Sequence, residues 1–170
     1  MLFLADKNGL HRFVSMQNHY NLVYREEERE MIPLCLTQGV GLIPWSPLAR
    51  GFLSGNRKRD GKGPTTRGGN DPFADDMYFR DEDWAVVDAL VEIAKELGRK
   101  PPQVALAWLL SAPGVDAPIV GTTKLEQLEE LVAAVDLELD EDHIRRLEAP
   151  YRTHPILGHK HRTPRELGGK

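Results

Sequence analysis

The chain has 170 residues, of which 41% are hydrophobic and 28% are charged, a composition typical of one globular domain. Its net charge of −4 at pH 7 excludes the global positive field that nucleic-acid-binding proteins carry. No apolar run reaches the roughly 20 residues that a membrane-spanning helix requires. Neither nucleic acid nor a membrane is therefore expected as a partner.

The only cysteine, Cys35, lies between Leu34 and Leu36. A single thiol excludes an internal disulfide and is typical of a reducing compartment, and the apolar neighbours predict a buried structural residue. An acid at Asp6 interrupts the amino-terminal apolar segment too early for a secretory signal. We therefore expect a cytoplasmic location.

The first part of the chain predicts a helix, a strand, a second helix and a second strand. The first helix covers about eight residues and ends at Gly9, because glycine is favoured just past helix ends. Residues 13–17 predict a buried strand, and residues 25–38 a helix that Pro33 should kink or break. Residues 41–45 predict the second strand, with Pro44 at its end.

The middle of the chain predicts a long irregular segment followed by two helices. Residues 50–80 carry no hydrophobic period, and the cluster Arg57, Lys58, Arg59 and Lys62 is expected in a solvated loop. Apolar spacing returns over residues 84–97. Two prolines then open a helix that is apolar nearly all round and should be buried, over residues 101–112.

The last part predicts a third strand, two short helices and a tail. Residues 117–121 form the strand, and Thr123 with Glu126 matches a capping box. The helix that follows has an apolar stripe, and Asp140 should cap the final helix. Residues 151–170 are expected to be a flexible tail with solvated histidines. The stripe comprises Leu125, Leu128, Leu131 and Val135, and the tail histidines are His154, His159 and His161.

Strands that alternate with helices predict an α/β domain over residues 1–150, with about three parallel βα units plus a carboxy-terminal helix. Three parallel strands are too few to close a barrel. In such folds, ligands bind at the carboxyl ends of the strands. The third strand end, Gly121 to Lys124, leads into a helix, so it predicts either an anion site or plain helix capping.

Three segments in order resemble the aldo-keto reductase family: FVSMQNHYNLVYREEEREMIPLC, GLIPWSPLARGFLSG and PIVGTTKLEQLEE. The resemblance runs from about residue 5 to residue 159. It implies part of an eight-stranded TIM-type (β/α)8 barrel, similar to the sixth to eighth strand units plus the carboxy-terminal helix. It also implies carbonyl reduction with a nicotinamide cofactor, usually NADPH.

The resemblance implies a role for each matching residue at the first two strand ends. Gln17 corresponds to the glutamine that hydrogen-bonds the nicotinamide carboxamide, and Trp45 to the aromatic residue that stacks on the nicotinamide ring. The loop that wraps the pyrophosphate is matched by Ser46, Pro47 and Leu48, with Arg50 nearby.

At the adenosine end, Gly121, Thr123, Gln127 and Glu130 match positions that bind the 2′-phosphate and the adenine. Gln127 stands where many members carry an arginine, and Lys124 offers a replacement positive charge. Arg67 resembles the loop cation that closes over the cofactor in some members. NADP(H) is therefore the expected cofactor, with NAD(H) not excluded.

The catalytic residues of the family are Asp, Tyr, Lys and His from its first four strand units, and the chain matches none of these units. We therefore expect no catalytic residue and no metal site. The predicted function is the cofactor-binding portion of an NADP(H)-dependent aldo-keto reductase that reduces aldehydes or ketones to alcohols, inactive by itself. The alternatives are a non-catalytic nicotinamide-binding module, one that depends on a partner such as the missing amino-terminal half, or a non-functional truncated remnant.

Overall fold

A computed structural model describes residues 1–55, 59, 74 and 77–155. Most of the predicted irregular segment, including Arg57, Lys58 and Lys62, lies outside these residues. The helices are α1 Leu2–Asn8, α2 Met31–Gln38, α3 Asp81–Glu96, α4 Pro101–Ser111, α5 Leu125–Val132 and α6 Glu141–Glu148, the strands are β1 Ser15–Met16 and β2 Gly41–Leu42, and short 3₁₀ turns cover Glu26–Arg29 and Ala49–Ser54.

The first helix ends as the sequence predicts, with Gly9 in the left-handed conformation at φ 62°. The predicted kink at Pro33 is wrong. Pro33 is the third residue of α2, where its missing N–H group is one that a helix start leaves without an intrahelical partner. The interruption instead falls at Glu30, between the 3₁₀ turn and α2.

The strands β1 and β2 are parallel, with Ser15 opposite Gly41 and Met16 opposite Leu42. The prediction of a third strand over residues 117–121 is wrong, because these residues form no regular strand. Backbone hydrogen bonds still join this region to β2, from Leu42 N to Gly114 O at 2.9 Å and from Ile119 N to Pro44 O at 2.8 Å. Pro118 has no N–H group to donate, so it interrupts the ladder.

The core lies between this small sheet and the helices. Leu42, Phe52, Leu90, Leu109 and Leu147 are fully inaccessible to solvent. Helix α4 is buried along most of its length, as its apolar composition predicts. Cys35 is also buried and free, which confirms its predicted structural place.

The predicted capping box at Thr123 is wrong, because α5 begins at Leu125 with Lys124 as the preceding residue. The neighbouring hydroxyl of Thr122 accepts a hydrogen bond from Lys124 N at 3.3 Å. The apolar stripe of this helix is largely uncovered, since Leu131 is buried whereas Leu125 is 66% exposed. At α6 the prediction is confirmed: Asp140 accepts a hydrogen bond from His143 N at 2.8 Å.

The segment that follows α6 is tied to the core through Glu26. The Glu26 carboxylate accepts hydrogen bonds from the Tyr151 hydroxyl and from His154 N, each at 2.7 Å. The His154 ring lies 2.7 Å from Asp83. Burial alone would raise the pKa of Glu26, but these hydrogen bonds, with one from Arg29, hold it below its usual value.

The prediction that His154 is solvated is therefore wrong, because its side chain is buried. His159 and His161 lie outside the described residues. The division of the chain at residue 150 remains a prediction. Among the described residues, no helix combines the length and apolar character needed to cross a membrane.

Truncating the core at the sheet should destabilise the chain far more than truncating a surface leucine. Leu42→Ala removes a fully buried side chain from β2, so we expect the free energy of unfolding to fall by about 2–5 kcal/mol. Leu36→Ala, at a half-exposed position, is the control and should change it much less. Urea denaturation measures both, and equal losses would contradict the proposed position of the core.

Candidate functional site

The carboxyl ends of the first two strands are joined directly. His19 and Trp45 form a parallel bridge, and Trp45 N donates to Asn18 O at 2.9 Å. The third segment is attached beside them through Ile119, two residues before Gly121. We call this edge the strand-end rim: it comprises residues 17–19, 45–46 and 121–124.

Two amide side chains lie at the first strand end. Gln17 is exposed, and within the described part of the chain its side chain has no hydrogen-bonding partner. Asn18 is 3% exposed, and neither atom of its side-chain amide has a partner among the described residues. Buried amides are normally satisfied, so the rim carries unused hydrogen-bonding capacity at this point.

Three aromatic rings stack at the rim. The His19 ring lies between Tyr24, at a centroid distance of 4.2 Å, and Trp45, at 4.1 Å, with interplanar angles of 13° and 15°. His19 and Tyr24 are buried, whereas Trp45 is half-buried. One face of the indole is therefore covered by His19.

The His19 ring makes polar contacts through its nitrogen Nε2, which lies in the plane of the ring. Its Nε2 lies 2.6 Å from the Tyr78 hydroxyl and 3.3 Å from the Asn21 side-chain nitrogen. Burial, and to a lesser extent the charge of His154, lowers the pKa of His19 to about 3, so the ring is neutral at pH 7. An amide nitrogen only donates, which favours Nε2 as the acceptor and Nδ1 as the protonated nitrogen.

Asn21 connects the first strand end to the second. It is fully buried, its Oδ1 accepts hydrogen bonds from the Val23 and Tyr24 N–H groups, and its Nδ2 donates to Ser46 O at 2.9 Å. Burial also raises the pKa of Tyr78, so its hydroxyl stays protonated and can donate to His19.

The loop after Trp45 has an unusual backbone. Ser46, Ala49 and Arg50 have φ values of 52°, 47° and 54°, in the left-handed region that residues other than glycine rarely adopt. Such conformations cost of order 1–3 kcal/mol each and cluster at ligand-binding loops. Of the other predicted contacts here, Pro47 is buried and Leu48 is half-buried.

The predicted adenosine end is already partly occupied by contacts within the chain. The Thr122 hydroxyl donates to the Gln127 side chain at 2.9 Å. Glu130 forms an ion pair with Lys100. Lys124 is exposed and pairs with no carboxylate among the described residues.

Gly121 and Thr123 lie on the same turn. The space around Gly121 is open, since no neighbouring atom lies within 4 Å of the point that a Cβ would occupy there. Arg67 lies outside the described residues. The described residues contain no group of three side chains suited to hold a metal ion.

Sequence reasoning missed His19, Asn21 and Tyr78. His19 lies two residues after the end of the predicted strand, a position that points to the rim. Tyr78 lies 59 residues away from His19 and no sequence pattern links the two.

The buried neutral His19 should make the chain less stable in mild acid. Its pKa is about 3 in the folded chain and about 6.5 when unfolded, so between these values only the unfolded chain binds the proton. The free energy of unfolding should therefore fall as pH decreases through this window, by up to about 1.4 kcal/mol per pH unit from this group.

Urea denaturation of the unmodified chain and of His19→Phe, which cannot be protonated at this position, isolates the contribution. The variant should lose less stability between about pH 7 and about pH 5. Parallel pH dependences would contradict the buried, neutral state of His19.

Comparison with known proteins assigns the family. The model of the aldo/keto reductase family matches residues 4–152. A Schizosaccharomyces pombe protein provisionally named an aryl-alcohol dehydrogenase is 47% identical over 154 residues, which cover 91% of this chain and 43% of the relative. Versiconal hemiacetal acetate reductase of Aspergillus parasiticus is 43% identical over 87% of this chain and 43% of its own length.

The aldo-keto reductase AMT2 of Alternaria alternata is 45% identical over 91% of this chain and 41% of its own length. The chain thus spans less than half the length of these relatives. The family fold is a (β/α)8 barrel, and the parallel strand pair with its surrounding helices is consistent with part of such a barrel. The chain belongs to the aldo/keto reductase family of oxidoreductases.

Proposed function

We propose that this chain forms the cofactor-binding rim of an NADP(H)-dependent aldo-keto reductase that reduces aldehydes or ketones to alcohols. The observation that carries the proposal is the hydrogen bond from Trp45 N to Asn18 O. It sets the aromatic residue and the Gln17 amide at neighbouring strand ends, where β/α folds bind their ligands.

The residues at the rim suit a nicotinamide ring. The Gln17 amide, without a partner in the described chain, can donate to and accept from a carboxamide. Trp45 has one face against His19, and its half-buried ring can stack on a flat heterocycle with the other face. When bound, the reduced nicotinamide supplies the hydride for carbonyl reduction.

The remaining predicted contacts would hold the rest of the cofactor. The left-handed turns at Ser46 and Arg50 give the loop through Pro47 and Leu48 a fixed shape, which suits the wrapping of a pyrophosphate. Gly121, Thr123 and Lys124 would bind the adenosine 2′-phosphate. Gln127 and Glu130 would have to exchange their contacts with Thr122 and Lys100 to reach the adenine.

We propose further that the chain supplies no catalytic Asp, Tyr, Lys or His, because no segment matches the family's first four strand units. Hydride transfer requires the carbonyl to be held against a proton donor. The chain would therefore bind the cofactor and leave proton transfer to residues that it does not supply. The single buried thiol supports a cytoplasmic location for this function.

A second candidate is a non-catalytic module completed by a partner, for instance by a polypeptide that supplies the other strand units of the barrel. It is favoured by apolar side chains that remain exposed at the end of α5, just after it, and before β1: Val132 is 57% exposed, Val135 69%, Phe13 59% and Val14 79%. Exposed apolar surface beyond single scattered residues is typical of an interaction site. A truncated remnant without function is the third alternative, and a chain that neither folds nor binds cofactor would favour it.

Cofactor binding without turnover is the result that tests the proposal. Isothermal titration calorimetry of the 170-residue chain should detect NADPH binding. Gln17→Leu should weaken it by roughly 2- to 12-fold, the effect of one lost hydrogen bond. Gln38→Leu, at the exposed end of α2, is the matched control and should bind as the unmodified chain does.

The same preparation should show negligible aldehyde-dependent NADPH oxidation. Sustained oxidation would overturn the expected absence of catalytic residues, and it would exclude the non-catalytic candidate. No binding of either NADPH or NADH by the folded chain would overturn the cofactor-binding role itself.

The preference for NADP(H) should depend on Lys124. Lys124→Gln removes the positive charge beside the predicted 2′-phosphate position. NADPH binding should therefore weaken by roughly 12-fold or more, as for a lost charge-assisted hydrogen bond, with NADH binding unchanged. Lys95→Gln, an exposed lysine near the end of α3, is the control. Equal weakening of both cofactors by Lys124→Gln would contradict this assignment.

A further inference from the structure

We infer that His19 is a positioning residue that sets the plane of Trp45, and that Tyr78 and Asn21 hold His19 in place. The inference rests on the proposed function, because it assigns to Trp45 the stacking of a nicotinamide ring. It assigns a role to three further residues, His19, Tyr78 and Asn21, which would act on Trp45 and not on the cofactor itself.

The stack explains how the orientation is transmitted. The planes of His19 and Trp45 differ by 15° and those of His19 and Tyr24 by 13°, so a tilt of the central ring would disturb both contacts. Tyr24 is fixed by paired backbone hydrogen bonds with Asn21, at 3.0 and 3.1 Å. The stack is therefore anchored at its buried end and half-exposed only at Trp45.

An imidazole is suited to the centre of this stack because it can be held in its own plane. A phenyl ring could occupy the same space, but it offers no in-plane acceptor. The contact of 2.6 Å between Nε2 and the Tyr78 hydroxyl restricts rotation of the His19 ring. The Asn21 side-chain nitrogen lies near the His19 ring and the Tyr78 hydroxyl, and it also donates to Ser46 O. One amide thus contacts both the residue that follows Trp45 and the His19 ring that stacks on Trp45.

A nicotinamide ring on the half-exposed face of Trp45 would become the fourth ring of the stack. Aromatic pairs contribute about 0.5–1.5 kcal/mol beyond the area they bury, and this depends on their geometry. Loss of the plane of Trp45 should therefore weaken binding of the nicotinamide part of the cofactor and leave binding of its adenosine part unchanged.

The experiment compares NADPH with adenosine 2′,5′-bisphosphate, which lacks the nicotinamide. Calorimetry on the 170-residue chain should show that His19→Leu weakens NADPH binding by roughly 2- to 12-fold, the equivalent of one aromatic pair, with the bisphosphate unchanged. His19→Phe, which keeps the stack, should recover most of the loss. Tyr78→Phe, which removes only the hydroxyl, should give a smaller loss that is again selective for NADPH.

Near-ultraviolet circular dichroism gives a second readout that needs no ligand. The difference between the unmodified chain and Trp45→Phe defines the Trp45 signal. His19→Leu should abolish this signal and His19→Phe should retain it. If His19→Leu does not fold, Tyr78→Phe decides, since it should reduce the Trp45 signal.

Equal loss of NADPH and bisphosphate affinity, or an unchanged Trp45 signal in both His19→Leu and Tyr78→Phe, would overturn the positioning role while leaving cofactor binding intact. Failure of the folded, unmodified chain to bind either ligand would instead overturn the proposed function. The circular dichroism signal would then still decide whether His19 orients Trp45.

Discussion

The hydrogen bond between Trp45 N and Asn18 O at 2.9 Å is the interaction on which the site depends. Regular pairing of β1 and β2 covers only two residues of each strand, and this bond extends the parallel register beyond them. It brings the end of β1, with Gln17 and Asn18, next to the end of β2, with Trp45. It thereby helps to fix the position of Gln17 relative to Trp45, and that of the ring stack that crosses between the two segments.

A second layer of contacts keeps this register rigid. Asn21 uses its side-chain oxygen to form a turn and its nitrogen to reach Ser46, so one buried amide satisfies groups on both strand ends. Backbone strain at Ser46 and Arg50 is tolerated because the surrounding contacts determine the conformation. The site is thus built from a few residues that are each bonded more than once.

The sequence predicts those parts of the fold that local patterns determine. The stop of α1 at Gly9, the burial of α4 and the cap at Asp140 follow from glycine conformation, apolar composition and a side-chain acceptor. The kink at Pro33 and the cap at Thr123 were wrong because neighbouring residues fix where each helix begins. The third strand was wrong because Pro118 cannot donate to a ladder, and the segment meets β2 at an isolated parallel bridge between Leu42 and Val115 instead.

The candidate site divides in the same way. Family motifs predict Gln17 and Trp45 as site residues, because these residues adjoin short strands with recognisable sequences. The support beneath Trp45 depends on a tertiary contact, since Tyr78 reaches His19 across 59 residues. His154 likewise reaches Asp83 from beyond α6. No period, cap or turn signal in the sequence encodes such pairs.

The bond between Glu26 and His154 also has a consequence for the order of folding. It spans 128 residues and so closes a long loop, at an entropic cost that grows with the logarithm of loop length. During synthesis the amino end emerges first, and Glu26 has neither Tyr151 nor His154 available until the segment after α6 has been made. The carboxylate that will become buried must therefore stay hydrated until then, and this part of the core is completed only after α6 has emerged.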